Sequence, residues 1–344
     1  MDKRETIIVN RSDKIGDIIV TLPSIYMLRK MFPNYRIVIL VQNYNKDILT
    51  RLNYIDELIN IDNYQEYELV KKIRETKPYM YISFTNSNKN SKLAIKSGAK
   101  VRVGIYSKFY SWFSYNRGLF QMRSKAEKHE AEYNLDLVKN INEKLFKENY
   151  EINNKVYYSI SESISADKFY HNKGINGFKI VVNVFTGKSS KRLSINDYIR
   201  IIKKISENRD NSIILLSHGI EEFKILEDII KNLEDKSNIY VYEGLGNILE
   251  TIAIIDKSDV YIGGSTGTTH IAGSLNKKII AIYPSEKSQS PAKWGPYKAK
   301  QIHYILPDEY IKDKAGYEFD EISEKLIEEI DVKIEEYKKE QNES

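Results

Sequence analysis

At 344 residues, 41% hydrophobic and 29% charged, the chain has the composition of a folded protein and exceeds the size of one compact core, so two domains are expected. The absence of cysteine excludes a disulfide framework and a thiolate metal site. No apolar run approaches the roughly 18 residues of a membrane span, and MDKRETIIVN lacks the apolar core of a signal peptide, which makes a cytoplasmic location the expectation. The net charge of +5 is unevenly spread, since segment 86–128 carries +9 and the rest −4, and this asymmetry suits an anionic partner of one domain.

Taken in chain order, Thr6–Asn10 reads as a buried strand, Ile18–Phe32 as a helix, and Arg36–Val41 and Tyr79–Phe84 as further strands. A helix is expected over Ala126–Lys147, followed by a polar stretch, a helix-like Ser161–Asn172, and a boundary near residue 160. Strands then recur at Phe178–Val184, Ser212–Ser217, Ile239–Tyr242, Asp259–Ile262 and Lys278–Tyr283. Helices are expected between them at Ile195–Asn208, Glu221–Leu233 and Ile248–Lys257. Near-continuous apolar strands alternating with amphipathic helices indicate parallel sheets covered on both faces, here twice. The domains are therefore placed at 1–160 and 161–319. Ile322, Leu326, Ile330 and Ile334 recur at helical spacing and mark an amphipathic helix over 320–338, before a tail at 339–344 expected to be disordered.

Four loops carry chemistry. Arg11-Ser-Asp-Lys-Ile-Gly-Asp17 follows the first strand, where α/β sheets open toward ligands; Asp17 there can act on a substrate or cap the helix that follows. Thr186-Gly-Lys-Ser-Ser-Lys191-Arg192 places cations after the first strand of the second half, suited to a diphosphate or to a solvated surface. Ser217-His-Gly-Ile-Glu221-Glu222 sets carboxylates where they can accept bonds from ribose hydroxyls or complement a helix dipole. In Gly263-Gly-Ser-Thr266-Gly-Thr-Thr-His270 a strand runs into a helix start rich in glycine and hydroxyls, which makes an anion site with a pyrophosphate as its expected occupant. The five histidines are scattered and no D-x-D or H-E-x-x-H cluster occurs, so no metal is expected.

In order and spacing these pieces resemble the ADP-heptose:lipopolysaccharide heptosyltransferase family, glycosyltransferase family 9. The matching stretches are RSDKIGDIIVTLPS at 11–24, KHEAEYNL at 128–135, KSSKRLS at 188–194, STGTTHIA at 265–272, IIAIYPS at 279–285 and WGPY at 294–297. The resemblance implies an α/β protein of GT-B architecture, two Rossmann-like doubly wound domains facing across a cleft, and an inverting, metal-independent sugar transfer from a nucleotide sugar, ADP-linked in the family. Carried over by position, Asp17 matches the general base and Lys191 the lysine that stabilises the departing diphosphate. Thr186, Lys188, Arg192, Glu221, Glu222, Gly244, Ser265, Thr266, Gly267, Thr268, Thr269 and His270 would line the donor site, with hydroxyls as well as amides on the phosphates.

The family's acceptor is an anionic glycolipid. Arg11, Lys89, Lys92, Arg102, Lys108, Trp112, Arg117 and Arg123 would meet it, or rest against the inner face of the cytoplasmic membrane; no nucleic-acid module is present. Two positions depart from the family pattern: Ser265 replaces an aspartate that contacts the donor sugar, and Leu193 replaces an aromatic residue. Another nucleotide-sugar enzyme, such as a 2-epimerase, and a non-catalytic relative are the alternatives.

Overall fold

The computed structural model describes residues 4–187, 190–233, 236–244, 246–307, 319 and 322–343. The chain forms two compact units that divide between Val156 and Tyr157. In the first unit, strands β1 (Thr6–Asn10), β2 (Arg36–Val41), β3 (Glu57–Asn60), β4 (Pro78–Ser83), β5 (Val101–Ile105) and β6 (Arg117–Leu119) make one sheet in the order β3-β2-β1-β4-β5-β6. All its neighbours pair in parallel. The second unit repeats the plan. Strands β7 (Phe178–Asn183), β8 (Asn211–Ser217), β9 (Ile239–Glu243), β10 (Val260–Gly264), β11 (Lys278–Ile282) and β12 (Ile302–Ile305) form a parallel sheet in the order β12-β11-β10-β7-β8-β9. In both units the first strand lies between the second and the fourth, so the winding reverses beside it.

Why these segments are strands follows from their burial. β1, β8 and β10 are buried along their whole length, which only a sheet covered on both faces provides. Four strands escape the apolar pattern: β3, β6 and β12 are short edge strands, and β5 is broken by Arg102 and Gly104. Gly104 is required there, because a Cβ would lie 2.4 Å from the Tyr115 ring.

Two long helices expected from periodicity are each divided. Ile15–Ile19 and Leu22–Met31 replace a single helix because Pro23 cannot donate to the turn before it. Glu130–Lys139 and Glu143–Glu148 replace another, the second restarting where the Asn142 side chain accepts from the Leu145 amide at 3.1 Å.

The last helix, Glu324–Asn342, buries Leu326, Ile327, Ile330, Ile334 and Tyr337 in the core of the second unit. It runs through the stretch 339–342 that composition marks as disordered. Lys278 pairs with Glu340 at 3.0 Å and Gln341 donates to Asp259 at 3.0 Å, which ties the polar end down. Among the described residues no helix is long and apolar enough to cross a membrane.

Candidate functional site

In the first unit the chain leaves β1 beside the end of β4, where the winding reverses, the edge at which open α/β sheets take their ligands. Arg11 is the first residue out, and its side chain is almost wholly buried. Its Nη1 donates to the Phe84 carbonyl at 3.0 Å and its Nη2 to Asp17 Oδ1 at 2.5 Å. Asp17, in the first turn of Ile15–Ile19, also accepts from the Lys14 amide at 3.3 Å. The carboxylate therefore caps its helix and at the same time stands, partly exposed, on a buried guanidinium. A carboxylate so held can accept a proton from an approaching hydroxyl.

A second buried arginine completes the network. Arg123 pairs with Glu130 and donates to Asn134 at 3.0 Å, Gln121 at 2.9 Å and the same Phe84 carbonyl at 3.2 Å. Asp13 lies 3.8 Å from Arg11. Burial raises the Asp13 pKa, with Asp17 and Glu130 adding to the rise against the opposing arginines. Burial acts to lower Arg11, but Asp17, Asp13 and Glu130 outweigh it and its pKa is raised. Arg123 is lowered, by burial and by the charge of Arg11. Arg11, expected to meet an acceptor's anions, is thus engaged in holding Asp17, and Arg123, expected to do the same, is engaged with Glu130, Asn134, Gln121 and the Phe84 carbonyl.

The corresponding edge of the second unit lies between the ends of β7 and β10. Gly267–Ser274 is a helix whose N-cap is Thr266, the Thr266 hydroxyl accepting from the Thr269 amide at 3.4 Å. The hydroxyls of Thr268 and Thr269 do not face outward as expected. Thr268 lies 2.7 Å from the Tyr261 hydroxyl and accepts from Asn183 at 2.8 Å, while Thr269 donates to the Gly264 carbonyl at 2.5 Å. Tyr261 is fully buried on β10, which puts its oxygen beneath the helix start and raises its pKa. What the helix offers to an anion is the amide end of its first turn, at Gly267 and Thr268, with Ser265 beside it. His270 is buried one turn further in.

The cation-bearing loop after β7 is held at its Lys191–Arg192 end. The Lys191 amide donates to Gln289 at 2.9 Å, the Arg192 carbonyl accepts from Phe319 at 2.9 Å, and the Lys191 ammonium lies over the Phe319 ring, 5.3 Å from its centroid. Lys188 lies outside the described residues. Leu193 belongs to the buried core, so its departure from the family pattern is a packing change. Thr186 lies against Gly264, where a Cβ would come within 3.4 Å of its hydroxyl.

At the start of Ile220–Lys231, Glu222 accepts from the His218 amide at 2.8 Å, whereas Glu221 is exposed. Gly244 follows β9 so closely beside β8 that a Cβ would meet the Ser217 carbonyl at 2.3 Å. Of the remaining residues expected to meet an acceptor, Arg102 donates to the carbonyls of Ser114 at 2.8 Å and Ala99 at 3.2 Å. Lys89, Lys92, Lys108, Trp112 and Arg117 stand exposed.

Sequence reading passed over Asp13, Glu130, Asn183 and Tyr261. Asn183 and Tyr261 are polar residues within otherwise apolar strands, a signal that was visible; the partnership of Arg123 with Glu130 was not. Among the described residues no three His, Asp or Glu side chains cluster to hold a metal.

Residues 67–321 match the family model of glycosyltransferase family 9 (heptosyltransferase). A Haemophilus influenzae protein named for glycosyltransferase activity is 29% identical over 316 residues, covering 87% of this chain and 88% of its own. Among solved structures, a glycosyl transferase family 9 protein from Veillonella parvula superposes with a TM-score of 0.79 at 18% identity, over 97% of this chain and 98% of that one. The Escherichia coli ADP-heptose lipopolysaccharide heptosyltransferase II gives 0.78 at 14% identity, over 97% and 99%. An Escherichia coli heptosyltransferase with ADP gives 0.66 at 15%, over 96% and 99%.

Proposed function

Because the chain belongs to glycosyltransferase family 9 and carries the GT-B fold of its structural relatives, we propose that it moves a heptose or related sugar from an ADP-linked donor to an anionic lipopolysaccharide-core acceptor, with inversion and without a metal. The observation that carries this reading is the edge between β7 and β10, where the first-turn amides of Gly267–Ser274 adjoin the start of the loop that leads to Lys191, Thr186 lying against Gly264. One of the structural relatives, the Escherichia coli heptosyltransferase solved with ADP, was also solved with ADP-2-deoxy-2-fluoro heptose, which supports a donor of that class here.

In the proposed reaction the donor diphosphate lies on the amides of Gly267 and Thr268, and Lys191 and Arg192 take up the charge that develops as the sugar–oxygen bond breaks. The exposed Glu221 accepts from the ribose hydroxyls, because Glu222 already holds the His218 amide. Asp17, fixed by Arg11, removes the proton of the acceptor hydroxyl as that oxygen attacks the anomeric carbon. Ser265 gives the sugar a hydroxyl where the family pattern has a carboxylate. A lipid-anchored acceptor places the enzyme as a peripheral protein at the inner face of the cytoplasmic membrane.

The test is transfer in EDTA, with ADP-heptose and a lipopolysaccharide inner-core acceptor, following ADP release and the mass of the acceptor. Transfer that persists in EDTA and falls in Lys191→Ala supports the reading. A preference for UDP or dTDP sugars, or loss of transfer in EDTA restored by a divalent cation, overturns it.

A further inference from the structure

The helix Phe109–Ser114, which follows β5, is inside out. Its small residues Ser111 and Ser114 are buried, while Phe109, Trp112 and Phe113 are 82%, 57% and 69% exposed. Folding normally hides such side chains, and a contiguous exposed aromatic cluster marks an interaction surface. The cluster is also packed in place. Trp112 stacks on Tyr106 with centroids 4.5 Å apart and planes within 6°, and Phe109 meets Phe113 edge-on at 5.2 Å. Tyr106 is itself fixed, its hydroxyl donating to the Tyr115 carbonyl at 2.7 Å and its ring occupying the space of a Gly118 side chain. Ser111 donates to the Lys108 carbonyl at 2.5 Å, Ser114 donates to the Tyr110 carbonyl at 2.9 Å, and the Arg102 guanidinium holds the helix end.

The surroundings name the partner by their charge. No Asp or Glu occurs between Glu75 and Glu127. Exposed Lys89 and Lys92 lie on Asn88–Lys96, which packs against the aromatic helix, Lys108 is its N-cap, and exposed Arg117 follows it. Rings that protrude suit insertion between headgroups rather than enclosure of a sugar. These exposed cations, with Glu66 paired to Lys96 as the acid on their flank, match an anionic surface.

We propose that Phe109, Trp112 and Phe113 enter the headgroup region of an anionic phospholipid bilayer, with the flanking lysines on its phosphates. The inference rests on the reading of the acceptor as lipid-anchored, but lipid contact is measured with neither donor nor acceptor present, so the two fail separately.

The experiment is flotation of the full chain with vesicles of phosphatidylcholine alone or with phosphatidylglycerol. It is paired with quenching of Trp112 by brominated phospholipid in a Trp294→Phe background. The expected result is binding to the anionic vesicles, quenching of Trp112, and binding about tenfold or more weaker in Phe109→Ser/Phe113→Ser. An unchanged melting temperature checks the fold of that variant, and Phe113→Ser alone serves if the double substitution misfolds.

Absence of flotation, or flotation indifferent to these substitutions, overturns the proposal. So does self-association without lipid that the same substitutions abolish, and so does protection of Trp112 by soluble core oligosaccharide. Normal flotation with failed transfer counts against the reaction and leaves the membrane contact standing.

Discussion

At the scale of single residues, the first unit joins function and stability in one charge network. Asp17→Asn keeps the capping oxygen but removes the proposed base, so transfer is expected to fall by about 10²–10⁴-fold with donor affinity retained. Steady-state rates with a competent acceptor check this, and an unchanged rate refutes the assignment. Arg123→Met leaves Glu130 buried without its partner, which costs about 3–5 kcal/mol and shows as a lowered denaturation midpoint. Asp13 behaves in the opposite sense. Its raised pKa means that the fold favours its protonated form, so its contribution is fully present below the ordinary aspartate value of 3.8 and is lost as pH rises through the folded value. Asp13→Asn is therefore expected to melt no lower than the parent at neutral pH, and its advantage should vanish in acid; a neutral-pH loss of stability contradicts that sign.

At the scale of elements, the helix start at Thr266 is set from below by Tyr261. A Cβ on Gly263 would lie 2.6 Å from the Tyr261 hydroxyl and 3.0 Å from its ring. Gly263→Ala should cost about 1–3 kcal/mol, and adding Tyr261→Phe should recover part of it. Additive losses in a denaturant double-mutant cycle would rule out that contact. Such contacts explain what could be read in advance. The central strands were legible because burial on both faces writes continuous apolar runs. β3, β6 and β12 were not, since an edge strand keeps polar residues, and Pro23 and Asn142 divided helices whose periodicity ran on. The Gly/Thr motif and Asp17 stood out by composition and position. The inward turn of the Thr268 and Thr269 hydroxyls did not, because it depends on which face of β10 carries Tyr261.

At the scale of the molecule, two sheets of one winding order carry different chemistry at the same place, a carboxylate on a buried arginine in one and a bare helix start in the other. If the second site takes a nucleotide diphosphate, ADP should raise the melting temperature, by mass action equivalent to about 2.7 kcal/mol at one hundred times Kd. A larger shift with UDP or dTDP in a fluorescence melt would reassign the nucleotide. The hidden hydroxyls beneath that helix also bear on redesign. Because Thr268 and Thr269 serve the scaffold, a library meant to change the donor gains nothing from varying them and loses folded clones. On the proposed reading diversity belongs at Ser265 and Glu221, which are half-buried and exposed, and where the amide cradle survives.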